Sequence, residues 1–128
     1  MTKLFNILSK YINDMSSNFI GSYSFGRIVI DGKPYSDDVI LLDREVRSGW
    51  WRDRGHVVRK SDLFDVIEFE PDLLIIGTGN SGNMRVPRDL PDELDFRVDS
   101  YITEKECKVY NKKLGKDIKL AGAFHLTC

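Results

Sequence analysis

The sequence predicts an α/β domain organised around one central strand. Residues 73–76 form a continuous apolar run without polar alternation, as in a strand that is buried on both faces of a sheet. The run stops at Gly77-Thr78-Gly79, and a buried strand that ends in a glycine turn is where open α/β sheets usually place a binding crevice. Thr103 and Glu106 then have the spacing of a capping box, which predicts a helix that Gly115 ends.

Composition is that of an ordinary globular protein. The chain has 128 residues, of which 41% are hydrophobic and 30% charged, so we expect one globular domain. The net charge of −1 gives no bulk electrostatic attraction to nucleic acid or to an anionic membrane. Two cysteines are too few for a disulfide framework and fit a reducing compartment. Without a signal peptide or an apolar run long enough to cross a bilayer, we expect a cytoplasmic protein with no membrane insertion.

Residues 1–19 are predicted to be a helical extension ahead of a single α/β domain over residues 20–128. Apolar side chains recur at three- and four-residue spacing from Leu4 to Met15, which is the pattern of an amphipathic helix. Within the domain, strands are predicted over residues 22–30, 39–42, 46–50, 96–98 and 118–126, and short helices over residues 62–67 and 87–91. Asp31-Gly32 predicts a tight hairpin turn.

The segment Trp50-Trp51-Arg52, followed by Gly55-His56, has the most unusual local composition. In one interpretation, one tryptophan packs in the core, the other shields it, and Arg52 stacks on an indole. In the other, the segment is an aromatic and cationic recognition surface for a protein or an anion. Both interpretations stay open at the level of sequence.

The glycine turn also matches the G-x-G-x-x-G string of dinucleotide-binding folds, and Asp99 lies where an acid would bind the ribose. That fold requires a helix to begin at the third glycine, whereas the residues after Gly82 read as extended and reach Pro87. We therefore favour a turn that serves close packing or a small-anion nest, with no cofactor. The spacing of His125 and Cys128 disfavours a metal site, and a nucleophilic pair of Cys128 with His56 is also disfavoured.

The ordered set of motifs resembles a known family. The motifs, in chain order, are Ser22-Tyr23-Ser24-Phe25-Gly26, Asp31-Gly32-Lys33, Asp38-Val39-Ile40-Leu41, Trp50-Trp51-Arg52, Gly55-His56, Pro71-Asp72-Leu73, Gly77-Thr78-Gly79, Val86-Pro87, Tyr110-Asn111 and His125-Leu126-Thr127-Cys128. They resemble the small single-domain family that includes the adipogenesis-associated domain-containing protein of animals and a mitochondrial respiratory complex I assembly factor.

This resemblance implies a three-layer α/β sandwich around a mixed sheet and no established catalytic residues. The recurrent positions of the family map here to a candidate binding surface of Trp51, Arg52, Gly55, His56, Gly77, Thr78, Gly79, His125 and Cys128. We expect a non-enzymatic interaction or assembly domain with a protein partner, in which Arg52→Ala leaves the fold intact but weakens partner capture. The alternative is a small-anion-binding protein or an enzyme that uses residues 77–82 with Arg52 and His56. Homo-oligomerisation stays open.

Overall fold

The structure is a computed structural model that describes residues 18–128. The predicted helix between Leu4 and Met15 lies outside the described residues, and the division of the chain at residue 19 stays a prediction.

Eight strands and two α-helices make up the described chain. In order they are β1 (Ile20–Ser24), β2 (Arg27–Ile30), β3 (Lys33–Tyr35), β4 (Val39–Leu42), β5 (Glu45–Ser48), α1 (Phe64–Phe69), β6 (Leu73–Thr78), β7 (Arg97–Tyr101), α2 (Thr103–Lys113) and β8 (Leu120–His125). Short 3-10 turns lie at Lys60–Leu63 and Leu90–Glu93.

The central sheet is mixed, as the resemblance implies. Its five strands have the order β5-β4-β8-β6-β7. Strand β6 runs parallel to both of its neighbours, β7 and β8, whereas β4 runs antiparallel to β5 and β8. A second sheet, β1-β2-β3, is antiparallel throughout.

Each face of the central sheet is covered by its own apolar layer. Leu73 and Ile75 of β6 belong to a cluster with Ile28 of the small sheet and Tyr110 of α2. Their neighbours Leu74 and Ile76 belong to a second cluster, whose members include Trp50, Val58, Leu63, Val66, Met84 and Leu90. The fully apolar run of β6 is thereby explained, because both faces are buried, and burying each such side chain contributes about 1.5–3 kcal/mol. The three-layer α/β prediction is confirmed.

The strand predicted over residues 22–30 is two strands, not one. β1 and β2 form a hairpin around Phe25-Gly26, in which Gly26 has a φ of +75°. The Asp31-Gly32 turn is confirmed: both residues have positive φ, as a two-residue hairpin loop with the right-handed strand twist requires.

The predicted capping box at the start of α2 is wrong. The helix begins at Thr103, with Ile102 at the cap position and no side-chain cap bond. The Thr103 hydroxyl accepts the Gly79 N–H at 2.8 Å and donates to the His125 carbonyl at 2.7 Å. Thr103 thus joins α2 to the ends of β6 and β8, and Glu106 is buried instead of reaching back to the helix start.

Candidate functional site

Strand pairing gathers several of the predicted site residues at one edge of the central sheet. Because β6 and β8 are parallel, their carboxyl ends meet, and Thr78 lies opposite His125. Antiparallel β4 begins at the same edge, where Val39 pairs with Phe124. Asp38, which immediately precedes β4, therefore lies beside His125.

Asp38, Arg52 and His125 form a buried polar network at this edge. Arg52 Nη2 donates to Asp38 Oδ2 at 2.8 Å, and His125 Nδ1 lies 2.7 Å from the same oxygen. The second carboxylate oxygen of Asp38 accepts the Leu126 N–H at 2.8 Å. Burial pushes the pKa of Asp38 upward, but the hydrogen bonds from His125, Arg52 and the Leu126 amide outweigh it and hold the pKa below its usual 3.8. Asp38 is therefore a carboxylate, and His125 Nδ1 carries the proton of their hydrogen bond.

The two tryptophans have opposite environments. Trp50 is buried and donates its indole N–H to the Asp62 carbonyl at 2.8 Å. The Arg52 guanidinium lies 4.5 Å from the centre of the Trp50 ring, which confirms the packing of one indole and the stacking of Arg52 on it, but not the shielding by the second tryptophan. Trp51, between them, is 74% exposed.

Arg52 is a structural residue as well as a candidate site residue. It is buried, and its Nε also donates to the Gly55 carbonyl at 2.9 Å. Removing one partner from a buried ion pair leaves the other without compensation and typically costs about 3–5 kcal/mol. We therefore expect Arg52→Ala to be strongly destabilising, which argues against the expectation that this substitution leaves the fold intact.

The glycine turn after β6 is not an open anion nest. Its amides are used within the chain: Asn80 N–H donates to the Thr127 carbonyl at 2.6 Å and Asn83 N–H to the Cys128 carbonyl at 2.9 Å. Gly79 has a φ of +107°, and a Cβ at this position would collide with the Cys128 carbonyl carbon. The turn therefore serves close packing, the other of the two roles predicted for it.

The remaining predicted residues divide between the interior and the surface. Thr78 and Gly77 are buried, and the missing Cβ of Gly77 lets Thr103 of α2 approach the strand. Gly55, His56 and Cys128 are exposed. The His56 ring contacts that of His125 edge to face, with centroids 5.6 Å apart. His56 is thus an exposed residue in contact with the network.

Sequence reasoning missed Asp38 as a site residue. It lies in Ser36-Asp37-Asp38, which reads as a polar turn, and its partner His125 is 87 residues away. One signal was available in the sequence. Asp38 directly precedes a fully buried strand, and Arg52 in the segment that follows would need a counter-ion if it were buried.

Other features of the described chain set limits on the site. Among residues 18–128, no three His, Cys, Asp or Glu side chains converge to hold a metal ion. None of the helices in that part of the chain is long and apolar enough to cross a membrane.

Two open depressions, of about 530 and 550 Å³, share Asp43, Arg44 and Phe69 and lie at the opposite end of β8 from His125.

Comparison with known proteins places this fold in a family. A family described as a protein of unknown function (DUF498/DUF598) matches residues 20–125. A conserved hypothetical protein of Pyrococcus horikoshii shares the fold with a TM-score of 0.72 and 21% identity, over 85% of this chain and 98% of that chain. A Bartonella henselae protein described as an outer membrane protein has a TM-score of 0.71 and 20% identity, over 87% and 96% of the two chains.

A Mth938-like domain of Bordetella pertussis has a TM-score of 0.63 and 18% identity, over 87% of each chain. At these identities the solved structures show a shared fold and nothing more. The family match spans most of the sequence, and the chain therefore belongs to the DUF498/DUF598 family of proteins of unknown function.

Proposed function

We propose that this domain is a non-enzymatic protein-interaction or assembly module that binds its partner through the Trp51 loop, defined as residues 51–56. The single observation that carries the proposal is the 74% exposure of Trp51 between two residues that are both fixed in the interior. Tryptophan is enriched among the residues that dominate binding energy at protein interfaces. A large exposed indole at this position is therefore a candidate anchor for a partner.

The loop is held rigidly at both ends. At its start, the Gly49 and Trp50 amides donate to the Asp38 carbonyl at 2.8 and 2.9 Å. At its end, Arg85 N–H donates to the His56 carbonyl at 2.7 Å. A backbone that is already ordered loses little conformational entropy when a partner binds, so the indole acts as a preorganised contact.

Exposed polar residues accompany the indole in and beside the loop. Asp53, Arg54, His56 and Arg85 are exposed, and they carry both signs of charge. An aromatic centre with a polar rim is the usual anatomy of a protein–protein interface. The resemblance to a family with an assembly factor points in the same direction, and a second copy of this chain is one partner that the experiment below would detect.

The anion-binding alternative loses support, because the amides of the glycine turn are already used within the chain. Gly79 N–H donates to the Thr103 hydroxyl, and the Asn80 and Asn83 amides donate to the Thr127 and Cys128 carbonyls. Arg52 is also paired with Asp38. We retain the cytoplasm as the proposed location because Cys107 and Cys128 are both free thiols, which fits a reducing compartment.

The experiment is affinity capture from native cells with matched variants. Trp51→Ala is expected to keep the stability of the parent, since exposed substitutions usually change it by less than about 0.5 kcal/mol, and to lose the partner. Phe64→Ala is the control, because Phe64 is 69% exposed on α1 and lies outside the proposed surface. Trp51→Phe should restore part of the capture. Equal capture by Trp51→Ala and Phe64→Ala would contradict the proposal.

A further inference from the structure

Two nitrogen atoms inside the Asp38–Arg52–His125 network have no hydrogen-bond partner among the described residues. They are Arg52 Nη1 and His125 Nε2, and each is fully shielded from solvent. The side chains that carry them are 5% and 7% exposed. A buried polar atom without a partner is costly and rare in native proteins, so two in one network call for an explanation.

The two atoms lie in one small region. Arg52 Nη2, the sister of the unpaired Nη1, is 3.2 Å from His125 Nδ1, which shares its five-membered ring with the unpaired Nε2. Every other polar atom of the two side chains is engaged, since Arg52 Nε donates to Gly55 and the remaining two nitrogens contact Asp38. One small molecule could therefore contact both unpaired atoms.

Their chemistry specifies what such a molecule must offer. Arg52 Nη1 can only donate, so it needs an acceptor. His125 Nδ1 carries a proton that it donates to Asp38. In the tautomer that has this single ring proton, Nε2 is an acceptor in need of a donor. The Asp38 and Arg52 charges offset each other, so hydrogen bonds to the two unpaired atoms, and not net charge, decide which ligand fits. The complementary group has one acceptor oxygen and one hydroxyl.

We propose that Arg52 and His125 bind an oxyacid group that retains one proton, as in hydrogen phosphate or bicarbonate. One oxygen accepts the Arg52 Nη1–H, and the hydroxyl donates to His125 Nε2. The charged or titratable groups around the His125 ring are Asp38, Arg52, His56 and the adjacent Cys128. Arg52 and His56 also belong to the Trp51 loop, but the ligand is bound by buried nitrogens and not by the exposed indole, so neither proposal depends on the other.

The entrance to the site is at His56. Gly79 closes one side of the His125 ring, because a Cβ on Gly79 would lie 2.8 Å from His125 Cδ2. On another side the ring contacts His56, which is itself exposed and can rotate into solvent. The proposal therefore requires that rotation of this exposed side chain admits the ligand to the unpaired atoms.

The test is an NMR titration of the imidazole nitrogens with inorganic phosphate, then bicarbonate, with sulfate as the matched control. The chain has only two histidines, so His56→Ala assigns the second ring directly. Phosphate and bicarbonate are expected to shift the His125 signal saturably. Sulfate, which has no proton to donate at neutral pH, should bind at least about tenfold more weakly, a difference of about 1.4 kcal/mol.

Two variants complete the test. His125→Asn keeps a donor at the place of Nδ1 but removes Nε2, and it should weaken phosphate binding at least about tenfold, whereas Trp51→Ala should leave it within about twofold. The proposal is overturned if neither oxyanion shifts the His125 signal, if sulfate binds as well as phosphate, or if Trp51→Ala abolishes binding. Should His125→Asn fail to fold, the comparison of phosphate with sulfate on the parent decides the question alone.

Discussion

Glu106 on α2 is expected to make the stability of this domain depend on pH around neutrality. It is only 2% exposed, and its Oε2 has no partner among the described residues. Burial first, and then the charge of Asp99 and its hydrogen bond, raise the pKa of Glu106 from the ordinary 4.5 to about 7. The folded protein therefore keeps a proton on this carboxyl that the unfolded chain has already lost.

The sign and size follow from proton linkage. Between pH 4.5 and about 7 the folded state binds more protons than the unfolded state, so stability falls as pH rises through this window. At 1.36 kcal/mol for each unit of pKa difference, the whole effect is at most about 3 kcal/mol. Glu106→Gln has no proton to lose, so its stability relative to the parent should grow by about 2 kcal/mol between about pH 5 and about pH 8.

Urea unfolding of both proteins at these two pH values measures the effect. Glu104→Gln is the matched control, because Glu104 is exposed in the first turn of the same helix. Its stability relative to the parent should be the same at both pH values. If Glu106→Gln also shows the same difference at both, the protonated buried carboxyl is refuted.

Three further substitutions test other parts of the site through chemical denaturation. Gly79→Ala should lower the free energy of unfolding by roughly 2–4 kcal/mol, because the new Cβ would meet backbone atoms at a residue with positive φ. Gly55→Ala, which has open space around it, should leave the free energy of unfolding nearly unchanged, and equal losses in the two variants would contradict this. Thr103→Val, which removes both hydroxyl hydrogen bonds, should cost roughly 1–3 kcal/mol, and full stability would argue against the hydroxyl bridge. Because the pKa of Asp38 is held below 3.8, the stability that its carboxylate contributes is present above that pH and is lost as pH falls through the lowered pKa. Asp38→Asn should therefore be destabilising at neutral pH and less so in acid, unlike the exposed control Asp37→Asn, and a pH-independent loss would rule this out.

The elements predicted well from sequence are those set by local pattern. The apolar run of β6 and the Asp31-Gly32 turn each follow from a few adjacent residues, because burial on both faces and positive φ leave direct marks on composition. The hairpin at Phe25-Gly26 was missed because residues 22–30 were read as one alternating strand. The apolar positions change from odd numbers (Tyr23, Phe25) to even numbers (Ile28, Ile30) across Gly26, and this change of phase, together with the glycine, marks the reversal.

The candidate site was harder to predict because it depends on contacts that are distant in sequence. Thr103 has the spacing of a helix cap, but its hydroxyl bonds to groups more than 20 residues away in each direction. Asp38 reads as a turn residue until strand pairing sets it beside His125. The burial of one indole was among the predicted alternatives, whereas the assignment of Trp50 to the core and Trp51 to the surface required the structure.

The most direct test of the proposed function is site-specific photo-crosslinking in native cells, with a photoreactive aromatic residue at position 51 and, as the control, at position 64. We expect a discrete crosslinked partner from position 51 that is absent from position 64, since both side chains are exposed but only Trp51 lies in the proposed surface. The same adducts from both positions, or adducts from position 64 alone, would contradict the assignment of the Trp51 loop as the binding surface.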